Sequence, residues 1–299
     1  MKKFTVFIIL ICFIMLGCAA QSKSPAMVRI EGGTFLMGSP LGEPGRHDDE
    51  AQSRITVSSF YMGKHPVTVG EFRRFVNATD YLTDAEIDGG GYVLASGEWG
   101  LRADANWRNP YFNQRDDHPV VLISWFDAIQ YCNWLSIQEG LTPVYEINGE
   151  NVSWDRSANG FRLPTEAEWE FACRAGTITP FNTGHNITTD QANYDGNLPF
   201  NMNARGEYRG GTTPVGNFAP NYWGLYDMHG NVWEWCWNWY GDYAMNPLID
   251  PIGPPFGEFC VVRGGSWVSS GQALRSAFRG GFYPIARYSW LGFRVVRSE

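Results

Sequence analysis

The sequence predicts an α+β fold rich in ordered loop. Three observations lead there. Helix-start signatures occur at Thr68, Ser124 and Thr165, far apart, each followed by a short apolar periodicity. Between and beyond them lie short β-branched and aromatic runs bounded by glycine. The chain also holds 34 Gly and 13 Trp among its 299 residues, which suits loops closed by aromatic packing and not a helical bundle.

The length allows one large or two ordinary domains. At 44% hydrophobic residues there is ample material for a core. A formal charge of -8 and the lack of a basic stripe argue against a nucleic-acid partner. No repeat at solenoid spacing is present. The first residues read as a targeting segment. Lys2-Lys3 is a positive start, and residues 4–16 are an apolar run too short to be a membrane helix. The run ends in Met15-Leu16-Gly17-Cys18, which resembles a bacterial lipobox with Met15 where Leu is usual. On that reading residues 1–17 are a signal peptide, Cys18 is lipidated, and residues 18–26 are a tether. The protein would be exported and lipid-anchored to a bacterial membrane, on its outer surface.

Six cysteines are present. Cys12 would leave with the signal and Cys18 would carry the anchor. Cys132, Cys173, Cys236 and Cys260 remain and allow three complete pairings, among which sequence does not choose. None forms a CxxC pair, and Cys132 and Cys173 fall in predicted helices among apolar residues, the place of a small buried hydrophobe.

In chain order, residues 27–37 read as two strands around Gly32-Gly33, a hairpin signal. Residues 55–62 return to strand composition. Thr68 and Glu71 make a capping box, with Phe72, Phe75 and Val76 as the apolar face of its helix. Residues 84–117 read as a long irregular segment packed through Trp99, Trp107, Tyr111 and Phe112. Ser124 with Asp127 opens a helix over residues 125–138, stopped by Gly140. Thr165 with Glu168 opens another, stopped at Gly176. The last segment, residues 261–297, begins and ends in Val pairs. Between them a framework of Arg275, Ser276, Arg279, Pro284, Arg287 and Leu291-Gly292-Phe293-Arg294 is interrupted by small and aromatic residues. The framework looks structural, and the insertions look like a binding surface.

Four motifs carry a family resemblance: GGTFLMGS at 32–39, RLPTEAEWEFACRAG at 162–176, GLYDMHGNVWEW at 224–235, and RGGSW, LRSAFR and LGFRVV between 263 and 296. In this order they resemble the formylglycine-generating, sulfatase-modifying family over nearly all of residues 27–299. The resemblance implies a C-type-lectin-related fold of small twisted antiparallel sheets, a few helices and much ordered loop. The family's oxidases use two cysteines just after the GGS motif, which bind copper as thiolates. The corresponding positions here fall near Ser269 and Leu274, and no cysteine follows Cys260. The resemblance therefore implies no oxidase chemistry and no catalytic cofactor. The five histidines, His47, His65, His118, His185 and His229, lack the spacing of an iron site. For a structural calcium ion, the resemblance implies oxygen ligands from Asn231, Val232 and Glu234, with a second site at Asn193 and Tyr194. The alternative is that Asn231 and Glu234 hydrogen-bond the turn and pair with an arginine.

The C-terminal segment also resembles the variable proteins of diversity-generating retroelements, in which adenine-directed mutagenesis alters chosen codons. The positions that correspond to variable ones are Val268, Ser269, Ser270, Gln272, Ala273, Phe278, Gly280, Gly281, Phe282, Tyr283, Ile285, Ala286, Tyr288, Ser289 and Trp290. Gln272 and Trp290 are not reachable from the commonest template codon. None of these residues is charged. Arg275, Arg279, Arg287 and Arg294 occupy framework positions and are expected to pair with acidic residues of the scaffold. The expected function is a non-enzymatic, surface-displayed binding lipoprotein. Its partner would be a protein or cell-surface ligand chosen by selection. Tyr283, Tyr288 and Trp290 would be its anchors. A fixed lectin-like or structural module, and a formylglycine-generating oxidase, are the alternatives. The aromatics could also be core residues.

Overall fold

The computed structural model of the chain describes residues 24–243 and 246–299. The proposed signal peptide and the lipidation site Cys18 lie outside the described residues, as does most of the tether. The order of elements is β1 (Met27–Ile30), β2 (Gly33–Met37), β3 (Ser53–Val57), β4 (Phe60–Gly63), α1 (Val69–Thr79), α2 (Asp84–Ile87), β5 (Gly91–Ala95), β6 (Glu98–Arg102) and α3 (Trp125–Gln138). Then come β7 (Tyr145–Asn148), β8 (Asn151–Trp154), β9 (Phe161–Arg162), α4 (Glu166–Arg174), β10 (Trp233–Trp239), β11 (Leu248–Ile249), β12 (Cys260–Arg263), β13 (Arg279–Phe282), β14 (Leu291–Phe293) and β15 (Val296–Ser298). This is the α+β, loop-rich architecture expected, with no helix among the described residues long and apolar enough to cross a membrane.

The strands form five small sheets: β1-β4-β15-β9, β13-β12-β10-β14, β11-β3-β2, and the hairpins β5-β6 and β7-β8. Pairing is antiparallel except between β10 and β14 and between β11 and β3. The three capping boxes are all present. Thr68, Ser124 and Thr165 each accept the N3 amide of their helix, and Glu71, Asp127 and Glu168 reach back to the cap amide. Helix α1 buries Phe72, Phe75 and Val76, as its periodicity requires.

Two local expectations fail. Strands β1 and β2 do not pair with each other. Strand β1 pairs with β4 and β2 with β3, so Gly32-Gly33 passes the chain from one sheet to another. Gly32 is obligatory in that passage, since a Cβ there would meet Val57 O at 2.6 Å. Residues 84–117 are not irregular throughout, for they contain α2 and the β5-β6 hairpin.

Helix α4 is polar in sequence yet buried along its whole length. Apolar burial does not explain this; ion pairing does. Arg162 binds Glu168 at 2.6 Å, Arg174 binds Glu170 at 2.8 Å, and Arg263 closes on Glu170 from the other side. Each charge taken from water is matched by an opposite one. The helix thereby becomes the post to which the C-terminal segment is attached.

Candidate binding face

Four arginines pin the C-terminal segment. Arg275 is fully buried and donates to Glu43 at 2.7 Å, to both carboxylate oxygens of Glu50 at 2.7 and 2.6 Å, and to Gly45 O at 2.6 Å. Burial pushes the Glu50 carboxyl up, and the hydrogen bonds from Arg275 more than reverse this, so it sits below its usual range. Arg279 forks onto Glu166 at 2.8 and 2.7 Å, sandwiched by the rings of Tyr240 and Tyr243. Arg294 grips Glu234 and donates to Gly63 O and Tyr226 O. Arg287 donates to Gly90 O and Asp88 O, both at 2.9 Å, and approaches the Asp88 carboxylate at 3.4 Å. The framework arginines thus meet scaffold acids, as their positions suggested.

Between these pins the candidate positions come to the surface. Tyr283 is 51% exposed and Ile285 47%. Val268, Ser270, Gln272, Ala273, Phe278, Gly280, Gly281, Phe282, Ala286, Tyr288 and Trp290 are half-buried. Two positions depart from a surface role. Ser269 is buried, its hydroxyl accepting from Ser266 N at 3.0 Å and its carbonyl from Asp195 N. Ser289 is fully buried, with its amide on Tyr92 O and its carbonyl accepting the Trp267 indole at 3.0 Å. Both behave as framework. Gly281 has limited room as well, since a Cβ there would meet the Tyr240 ring at 3.0 Å.

The aromatic anchors divide. Tyr283 stands free except for Phe259 beneath it and a hydrogen bond to Glu258 at 3.0 Å. Tyr288 and Trp290 stack in parallel at 4.8 Å and are walled by a second pair, Tyr92 and Trp99. Trp99 meets Trp290 edge-on at 4.7 Å, and Tyr92 meets Tyr288 at 5.8 Å. Trp99 also leans on Trp267, against which Phe112 and Tyr208 pack. Backbone bonds lock the two elements together: Tyr92 N donates to Arg287 O and Ser289 N to Tyr92 O. The β5-β6 hairpin is therefore part of this face, within the segment whose composition predicts irregular structure. The signal was available. Ser96-Gly97 is a two-residue turn with both φ positive, 53° and 84°, flanked by alternating residues. Beside Ile285 the face opens into a cavity of about 230 Å³ lined by Tyr81, Phe126, Ile129, Ile147 and Val152.

The three residues proposed for calcium do not fit a cation as they stand. Both oxygens of Glu234 are held by Arg294, and one also accepts the Trp169 indole at 2.7 Å. Asn231 Oδ1 already accepts from Thr213 N and Asn193 Nδ2. Val232 is fully buried. In this arrangement Asn231 hydrogen-bonds across the turn and Glu234 pairs with Arg294. Two buried oxygens nearby, Asn193 Oδ1 and Thr213 Oγ1, lack partners. No group of three or more His, Cys, Asp or Glu able to hold a metal occurs among the described residues.

All four described cysteines are buried free thiols, so none of the three possible pairings is formed. Burial pushes Cys173 up to about 12 and moves Cys132, Cys236 and Cys260 well above the usual thiol range.

The sequence pattern of the "Sulfatase-modifying factor enzyme 1-like domain" matches residues 15–299. The chain belongs to that family. The formylglycine-generating enzyme of Bos taurus is 33% identical to it over 93% of this chain and 76% of the bovine one. A Mus musculus relative named inactive C-alpha-formylglycine-generating enzyme 2 is 32% identical over 93% of this chain and 87% of its own length. The solved structure of Treponema denticola variable protein 1 superimposes with a TM-score of 0.71 at 26% identity, covering 91% of this chain and 95% of that one. The fold is thus the C-type-lectin-type fold of the sulfatase-modifying family. Within that family this member carries Ser269 and Leu274 near the positions where the resemblance places the oxidase thiols. Leu274 is fully buried in an apolar cluster.

Proposed function

We propose that this sulfatase-modifying-family chain is a non-enzymatic binding lipoprotein whose C-terminal loops form a diversified recognition face. The observation that carries the reading is the alternation of burial along residues 267–291. Trp267, Leu274, Arg275, Ser276, Ala277, Arg279 and Leu291 are buried, while all but two of the fifteen candidate positions between them reach solvent. A binding surface that varies needs positions that reach solvent, and Ala273, Phe278, Phe282, Ala286, Tyr288 and Trp290 present one side to solvent while the other packs on the core, which bounds the size of what can stand there. Tyr283, Ile285 and the edges of Tyr288, Trp290 and Trp99 supply rigid, amphipathic contact area of the kind that dominates hot spots. The partner is a protein or cell-surface ligand, and an acylated Cys18 would hold the domain on the outer face of a bacterial membrane.

The similarity to a variable protein supports this reading, and so does the relative named inactive. The relatives named formylglycine-generating enzyme favour the oxidase alternative. That chemistry needs an accessible thiolate, and the four described thiols are buried and held protonated. The deciding test is genomic and biochemical together. A nearby copy of the DNA for residues 261–297, differing only at adenines and beside a reverse transcriptase, is expected. Absence of that copy overturns diversification. Oxidation of a cysteine-containing peptide by the purified protein with copper overturns the non-enzymatic reading.

A further inference from the structure

The cavity beside Ile285 is amphipathic. Phe126, Ile129, Ile147, Val152 and Ile285 give it apolar walls, while Asp84 and Glu150 are its charged lining, and no Lys, Arg or His lines it. Its volume of about 230 Å³ is roughly eight times the ~30 Å³ share of one water, the scale of a single long side chain. Asp84 is half-buried and spends Oδ2 on the Ser124 hydroxyl at 2.6 Å. The arginines on the neighbouring elements are committed elsewhere, Arg108 to Glu86 and Arg287 to Asp88 and Gly90 O. Among the described residues neither Asp84 nor Glu150 has a cationic partner. A third carboxylate stands next to them. Asp127 accepts from the Tyr81 hydroxyl at 2.9 Å and from the Asp84 amide at 3.1 Å. Burial, and after it the charge of Asp84, pushes Asp127 up to about 7. Negative charge is therefore in excess at this site.

We propose that this cavity is a socket for a lysine or arginine side chain of the protein partner. The proposal rests on the recognition reading and names the partner chemistry of that face. Charge complementarity selects the occupant. An apolar side chain would suit the walls but strip water from Asp84 without supplying a counter-charge, and an unpaired carboxylate is costly to desolvate. An anion would be repelled. A long cationic side chain lays its methylenes on the walls and brings its charge to the carboxylates, as such side chains do where apolar and polar surface meet. Of the cavity's lining only Ile285 belongs to the fifteen candidate variable positions, and none of the fifteen is charged. The acidic part of the socket is thus scaffold. Variation at the neighbouring positions changes what surrounds the basic residue of the partner and leaves the demand for one unchanged.

The test titrates the full chain in detergent micelles with N-acetyl-lysine methylamide and N-acetyl-arginine methylamide, read by the amide chemical shifts of residues 147–152 and 285. Both probes are expected to move these signals and to saturate at millimolar concentration. N-acetyl-norleucine methylamide, which has the stem without the charge, is expected to bind about tenfold more weakly. Glu150→Gln, in the exposed turn between β7 and β8, is expected to weaken the lysine probe several-fold with unchanged far-ultraviolet circular dichroism. Asp84→Asn, which keeps an oxygen for the Ser124 hydroxyl, is expected to do the same. A norleucine probe that binds as tightly as the lysine probe makes the cavity merely apolar and overturns the proposal. So do cationic probes that leave the signals unmoved, or an affinity that neither variant changes. The probes report the cavity alone, so their failure leaves diversification to the genomic test, and a missing genomic copy leaves the measured socket in place.

Discussion

Replacing Arg275 with methionine would leave Glu43 and Glu50 facing each other in a buried space without a counter-charge. Breaking one partner of a buried ion pair costs on the order of 3–5 kcal/mol, so Arg275→Met is expected to lose about that much in urea unfolding. Arg115→Met, whose pair with Asp117 is exposed on both sides, is expected to leave stability unchanged. His229 offers a titration test. Its Nδ1–H donates to Leu274 O at 2.7 Å, its Nε2 accepts from Asn182 N at 3.1 Å, and burial lowers it from 6.5 to about 4. The unfolded chain therefore takes a proton before the folded one does. Stability from this group is complete above pH 6.5 and falls as pH drops toward 4, by about 3 kcal/mol. Asp127 and Asp227, raised by burial to about 7 and about 6, act in the opposite sense over the same range. The readout is therefore a difference between proteins. Between pH 7 and pH 4, His229→Gln is expected to lose less unfolding free energy than wild type. Equal losses would remove His229 as the cause.

At the scale of elements, the helices were legible because their start signals are local. A cap hydroxyl and an acid three residues on report the same turn whatever the rest of the chain does. Strand partners were not legible. Residues 27–37 carry a hairpin signal, and their strands join different sheets because tertiary pairing with β4 and β3 wins. The pinning of the C-terminal segment to scaffold acids was legible in its framework arginines, and the distant hairpin that packs against the segment was not. Nothing near residue 290 announces that Trp99 will pack on Trp290. Ser269 and Ser289 resembled variable positions by motif, yet their backbones hold the loop to Asp195 and Tyr92, a long-range fact. The hairpin yields a prediction that separates support from contact. Trp99→Ala removes the edge-to-face partner of Trp290 and a tilted partner of Trp267, aromatic pairs worth about 0.5–1.5 kcal/mol each beyond area burial. Its melting temperature is expected to fall by several degrees, with loss of near-ultraviolet circular dichroism. Ile285→Ala, exposed beside the cavity, is expected to leave the melting temperature unchanged and to weaken ligand capture. A fall equal to that of Trp99→Ala would make Ile285 a core residue.

For the molecule as a whole, the issue is whether a family scaffold with relatives named as enzymes has any redox-competent sulfur left. The described domain carries four cysteines, spread over α3, α4, β10 and β12 and all buried. Burial disfavours the thiolate, which is the nucleophile and the soft-metal ligand alike. Cys173 makes the strongest case for reactivity, with His229 within 3.9 Å and Ser276 Oγ at 3.7 Å. It still fails as a nucleophile. The imidazole commits its proton to Leu274 O and is kept neutral by its own burial, so it supplies no positive charge, and the thiol stays near 12. Reactivity should then follow global unfolding instead of local geometry. With an aromatic disulfide reagent at pH 8, the four domain thiols are expected to be silent in the folded protein. They should appear together across the urea transition that far-ultraviolet circular dichroism reports. A thiol that reacts under native conditions at a rate independent of urea would mark an accessible sulfur. It would return the oxidase reading to contention, with that residue as its starting point.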